Sequence, residues 1–171
     1  MRSLNKQKII YGVLLAVWMT FIFVMSAQPA QQSSQLSGGL VSKIVAVIYP
    51  NFSSLLSAEQ SSITHTVTFI VRKAAHFSEY FILGVLGFFV ANTYQKYKFS
   101  LRALSATLFC VLYAASDEIH QFFVPGRACR FLDICIDAAG SVAAIVLLAV
   151  ILYRKKISNR SGESDAQKKV N

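Results

Sequence analysis

Ionisable side chains at helical spacing, set among long apolar stretches, are the residues of this sequence with chemistry to offer. Arg72, His76, Glu79 and Tyr80 recur at steps of four, three and one, so on a helix they share a face. Asp117, His120 and Gln121 do the same, with Glu118 turned aside. Asp133 and Asp137 lie four apart, and Gly140 continues their stripe, where a glycine lets a neighbouring helix approach closely. Before that last group, Pro125-Gly126-Arg127 reads as a turn that sets an arginine beside the carboxylates.

Several chemistries are open to such a group. Glu79, Asp117, Glu118, Asp133 and Asp137 against Arg72, Lys73, Arg127 and Arg130 would make an ion-pair network locking helices together. An ionisable residue costs about 2.5–3.5 kcal/mol at the centre of a membrane helix, however, and helices that need only adhesion can use small residues and hydroxyls. A functional pocket is the sharper reading. In it Arg72 and Arg127 would grip a phosphate or carboxylate, with Gln121, Asp133 and Asp137 completing the ligand site. His76 and His120, oriented by Glu79, Asp117 and Glu118, are the candidate acid–base residues. The spacings His76-x-x-Glu79 and Asp117-x-x-His120 also admit a divalent metal between facing helices, a pattern short enough to recur by chance. No other cofactor is expected. GxSxG, P-loop and HExxH motifs are missing, so no standard reaction class is indicated.

The elements that must position these residues follow from the apolar pattern. The chain has 171 residues, of which 54% are hydrophobic and only 15% charged, against roughly 25% charged in soluble domains. Spanning a bilayer takes about 20 helical residues. Four segments qualify, at about 9–27, 72–94, 102–123 and 133–153. The last three reach full length only when extended through their polar residues, and alternating direction brings all three extensions to one side. The expected fold is all-α: a polytopic membrane bundle of four transmembrane helices plus a short interfacial helix. It forms one transmembrane domain over 1–157, followed by a disordered polar tail at 158–171.

Twelve lysines and arginines lie on the side of the termini and five on the other. The positive-inside rule then puts both termini in the cytoplasm and the polar cluster outside. The net charge of +9 reflects these flanking residues and not a nucleic-acid surface. The start MRSLNKQK followed by an apolar run has features of a signal peptide, but no strong cleavage pattern follows, so the run is read as the first span.

Between the first two spans, Gln28–Gly39 reads as a loop. Leu36, Leu40, Ile44, Val47 and Ile48 then recur at helical spacing, as an interfacial helix or as a lid packed on the others. Trp18, Tyr94, Tyr97 and Tyr153 fit interfacial anchors, the phenylalanines of the second span fit lipid contact, and His65 fits a helix start. Cys110 fits a mid-span packing residue, while a Cys129–Cys135 disulfide would depend on geometry.

At the polar residues the sequence resembles the VanZ-like family of bacterial membrane proteins. The matching stretches are Arg72–Tyr80 (RKAAHFSEY) with Leu83-Gly84, Tyr113–Arg127 (YAASDEIHQFFVPGR), Asp133–Gly140 (DICIDAAG) and Ser26–Pro29 (SAQP). The resemblance implies a multi-pass protein of the bacterial cytoplasmic membrane, whose partners are the lipid bilayer and a lipid-linked cell-wall precursor or lipoglycopeptide. The family's name comes from a member that raises tolerance to the lipoglycopeptide antibiotic teicoplanin. Antibiotic resistance is thus one expectation for a cell-envelope pocket of this kind. A membrane hydrolase or transferase using His–Asp or metal chemistry, and a structural or partner-binding membrane protein, stand as alternatives.

Overall fold

The computed structural model describes the backbone of residues 2–168 and the side chains of 5–155 other than Leu36. The helices are α1 (Arg2–Ser26), α2 (Ala30–Ile48), α3 (Ser57–Asn92), α4 (Phe99–Phe122) and α5 (Phe131–Lys168), with a short 3₁₀ turn at Phe52–Ser54. Among the described residues there is no strand. Four segments are long and apolar enough to cross a membrane: Asn5–Ser26, Ser57–Asn92, Phe99–Phe122 and Phe131–Lys155. This is an all-α membrane bundle. Where a disordered tail is expected, at 158–171, the backbone of α5 continues through Lys168, and residues 169–171 lie outside the described set.

Two elements differ from the sequence reading. The stretch read as loop, Gln28–Gly39, is helical from Ala30 onward. Pro29 precedes the first turn, where its missing N–H costs nothing. Ser34 and Ser37 turn their hydroxyls back to the carbonyls of Ala30, Ser33 and Ser34, so their polarity is absorbed by the helix itself. The second difference is α3, which begins at Ser57 and not near Arg72. The Glu59 carboxylate accepts from the Leu56 N–H at 3.1 Å, and the Gln60 amide donates to the carbonyls of Phe52 and Leu55, which fixes the start. His65 is therefore an exposed residue within α3, not a helix-start residue.

At 36 residues α3 is about 54 Å long, well beyond the roughly 30 Å of hydrocarbon a span must cross. Its first turns carry α2. Val41 and Val45 of α2 pack on Val67 of α3, with Ile44, Phe52, Ile63 and Val71 around them. The lid arrangement is the one formed.

The bundle itself is tightest between α3 and α5. A Cβ added to Gly140 would lie 2.3 Å from the Phe77 carbonyl oxygen, and one added to Gly84 would lie 2.5 Å from the Ser141 carbonyl oxygen. Only glycine lets the two backbones meet at these points. On the other flank of α3, Ile22, Tyr80, Leu83, Cys110 and Ala114 form a buried cluster, with Trp18, Met19 and Tyr113 packed against it. Trp18 is thus a helix-packing residue and not an interfacial anchor, its indole donating to the Glu79 carbonyl at 2.9 Å. Phe88 is likewise buried against Ala106 and Ile145, not turned to lipid. Tyr94, Tyr97 and Tyr153 stay exposed, and all three cysteines are free thiols, Cys110 buried and the other two exposed.

Candidate functional site

The turn after α4 sets the geometry. Val124 accepts from the Arg127 N–H at 3.1 Å, with Pro125 and Gly126 between, and Gly126 has φ 76°. Proline followed by a residue of positive φ is the signature of a type II turn. It aims Arg127 back into the bundle. The guanidinium donates through Nε to the Gln28 carbonyl at 2.9 Å, through Nη1 to Gln121 Oε1 at 3.1 Å and through Nη2 to the Met25 carbonyl at 3.3 Å. One planar fork thereby ties the end of α1, the end of α4 and the α4–α5 turn together. Burial and then the neighbouring Arg72 draw the Arg127 pKa below its ordinary value, while Asp117, Glu118 and Glu79 draw it back up.

Two adjoining cavities open around this arginine. One, of about 150 Å³, is walled by Arg72, Lys73, His76, Arg127, Arg130 and Asp133. The other, of about 240 Å³, lies under α2 and has Glu79, Arg72, His76 and Arg127 in its wall, with Ser33, Ser37 and Leu40 of α2 above. Lys73 and Asp133 form an ion pair. Arg72 lines both cavities and makes no hydrogen bond or ion pair with any other described side chain.

Behind the cavities lies a fully packed polar layer. Ser26 donates to Asp117 Oδ2 at 2.8 Å, and Gln121 donates to the same oxygen at 2.9 Å. Through Gln121 this chain continues to Arg127. Glu118 is completely buried and accepts from the Arg130 backbone N–H at 3.0 Å. Asp137 is also completely buried, and His76 Nδ1 stands 3.7 Å from its Oδ1. Buried polar groups normally find partners, yet one oxygen each of Asp117 and Glu118, both oxygens of Asp137 and the Tyr80 hydroxyl have none.

The sequence-predicted residues thus fall into two sets. Arg72, His76, Gln121, Arg127 and Asp133 meet at the cation-lined cavity, and Glu79 faces the cavity beside it. Asp117, Glu118 and Asp137 sit in the layer behind. His120 lines neither cavity: its ring lies 4.4 Å from that of Phe23 and its Nε2 is buried without a partner. Among the described residues no three His, Cys, Asp or Glu side chains gather as a metal site would need. Sequence reasoning missed Ser26 and the backbone acceptors of Met25 and Gln28. A hydroxyl closing the first span, just before Gln28 and Pro29, was the available signal.

A family model described as VanZ/LLP1 matches residues 11–153. No curated protein and no solved structure matches the chain.

Proposed function

This chain belongs to the VanZ/LLP1 family, and from that premise we propose that its polar pocket holds the anionic group of a cell-envelope ligand at the outer membrane face. One observation carries the reading. Arg72, Lys73, Arg127 and Arg130 line a single cavity in which, among the described residues, Asp133 is the only acid, and that acid is already paired with Lys73. The other acids of the cluster lie in the layer behind or on the neighbouring cavity, so on this one wall positive charge exceeds negative, and an anion in the cavity would balance it. A volume of about 150 Å³ suits a phosphate or carboxylate group and not a whole lipoglycopeptide, so the rest of the ligand lies outside or beneath α2. A lipid-linked cell-wall precursor and a lipoglycopeptide both offer such a group. Arginine suits it because its planar fork meets both oxygens at once.

The outward orientation rests on twelve basic residues on the side of the termini against five on the other. In this reading the chain is a protein of the bacterial cytoplasmic membrane with both termini inside.

The test has two arms. In purified protein, short-chain phosphatidic acid should raise the melting temperature more than phosphatidylcholine does, and Arg72→Ala should abolish the difference. In intact cells on a cysteine-free background, a cysteine at Ala128 should react with an impermeant thiol reagent while one at Ser100 stays silent. Equal responses to the two lipids would sink the anion site. Reversed labelling would sink the orientation.

A further inference from the structure

Resting on the anion-site reading, a second property of the same cavity concerns its one imidazole. Of the three histidines, His76 lines both cavities, and His65 and His120 line neither. His76 Nδ1 is shut from solvent without a hydrogen-bond partner and points at Asp137 Oδ1, 3.7 Å away. Asp137 is completely buried, and neither of its oxygens has a donor. Two orphaned polar groups face each other across a gap slightly too wide for a hydrogen bond.

The backbone explains why they are neighbours. Gly140 lies one turn beyond Asp137 on α5 and meets the carbonyl of Phe77, the residue after His76 on α3. The close approach of the helices therefore fixes the acid behind the imidazole. With Nδ1 turned inward, Nε2 is the nitrogen left to serve the cavities, whose walls Arg72 and Arg127 share.

We infer that His76 and Asp137 form an acid–base pair, in which Asp137 holds Nδ1 and Nε2 takes a proton from a water or hydroxyl beside an anion of the phosphate class. In that step one O–H bond breaks and one N–H bond forms at Nε2, and the freed electron pair stays on the oxygen as hydroxide or alkoxide. The charge gained by the ring is balanced by the Asp137 carboxylate, and the proton is later returned to an oxygen, so nothing else is consumed. A gap of this kind in the empty site closes when ligand draws the imidazole into line, as bonds between catalytic groups commonly tighten on substrate binding. His76 is the residue that meets the reacting atoms, and Asp137 is a positioning residue acting through it.

Diethyl pyrocarbonate, which acylates an unprotonated imidazole nitrogen, reads this arrangement without a known substrate. Full-length protein in detergent is treated, and each histidine is followed by mass spectrometry. His76 should react faster than His120, whose ring is covered by Phe23; this comparison needs no variant. Asp137→Asn should slow His76 by about tenfold while exposed His65 keeps its rate, the scale on which losing the carboxylate behind a metal-ligating histidine lowers activity. An unchanged His65 rate and an unchanged melting profile exclude misfolding as the cause. Short-chain phosphatidic acid, or inorganic phosphate if a free anion suffices, should protect His76. His76 slower than His120, or indifferent to Asp137→Asn, overturns the pair. A fast, Asp137-dependent His76 that neither anion protects leaves the pair standing and overturns the anion site instead.

Discussion

Gly140 of α5 faces the carbonyl of Phe77 on α3 so closely that a Cβ at Gly140 would lie 2.3 Å from the carbonyl oxygen. Because backbone cannot step aside as a side chain can, Gly140→Ala must push the helices apart. The expected loss is about 1–3 kcal/mol, the usual cost of overpacking. Gly12 supplies the control, since a Cβ there meets nothing within 4 Å. Gly12→Ala should leave the melting temperature in detergent unchanged or slightly raised, because alanine is the better helix former by up to about 1 kcal/mol. Equal effects at the two glycines would mean that the α3–α5 contact is not what holds the bundle.

The Ser26 hydroxyl reaches Asp117 across 91 residues of sequence. Ser26→Ala removes one of the two donors to Asp117 Oδ2 and leaves Gln121 alone to hold it. Interhelical hydrogen bonds in membrane proteins contribute roughly 0.6 kcal/mol on average and up to about 1.7, and a buried acceptor on a carboxylate belongs at the upper end. The coupling to Gln121 is checked with Ser26→Ala, Gln121→Ala and the double variant in a thermal or denaturant titration. Strictly additive losses would show that the three groups do not act as one network.

The residues of the cavity and of the layer behind it, Ser26 apart, are legible in the sequence, and the reason is physical. Helical periodicity puts Arg72 and His76, or Asp133 and Asp137, on one face whatever the helices pack against. Alternating spans bring those faces to one end. What periodicity cannot give is the partner across a gap. Spacing groups His76 with Glu79, yet its nearest acid is Asp137, which reaches it because Gly140 and Gly84 let α5 in. His120 shared a face with Gln121 on paper and turns to Phe23 in the fold. The start of α2 was hidden for another reason: glutamine, serine and glycine read as loop, and only the packing of Val41 and Val45 on α3 makes a helix there worthwhile.

Arg127 and lysine are not interchangeable at this turn. The guanidinium satisfies three acceptors on three segments with one planar group, whereas an ammonium on a shorter reach cannot meet all three. Arg127→Lys keeps the charge and loses the fork. It should lower stability by about 1 kcal/mol or somewhat more, the cost of leaving partly buried acceptors unpaired. It should also weaken the stabilisation given by phosphatidic acid. A variant with full stability and full lipid response would show that charge alone is what the site needs.

Arg72 and Lys73 are sequence neighbours with different duties. Lys73 is committed to Asp133, while Arg72 has no partner among the described residues. Arg72→Ala should therefore change stability by less than about 0.5 kcal/mol, as surface substitutions do, and remove the lipid response. Lys73→Ala should do the reverse in kind, lowering the melting temperature by freeing Asp133 inside a cationic cavity while Arg72 still meets the ligand. Measuring melting temperature with and without phosphatidic acid separates the two. Identical behaviour of the two variants would mean that the cavity reads only total charge.

The lid makes the last prediction, because α2 covers the cavity through contacts that have nothing to do with ligand. Val41 and Val45 pack on Val67, and the Ala30 N–H donates to the Pro125 carbonyl at 3.3 Å, so one apolar seam and one backbone bond hold α2 over Arg72 and His76. Trimming each valine to alanine removes two methyl groups from that seam, about 1.5 kcal/mol apiece. The double variant should loosen α2 without touching the glycine contacts of α3 and α5. Amide exchange should then rise in α2 and the first turns of α3, and His76 should become more reactive to diethyl pyrocarbonate. Exchange confined to α2 with His76 unchanged would show that the cavity is entered from the side of the α4–α5 turn, and that α2 is a strut and not a gate.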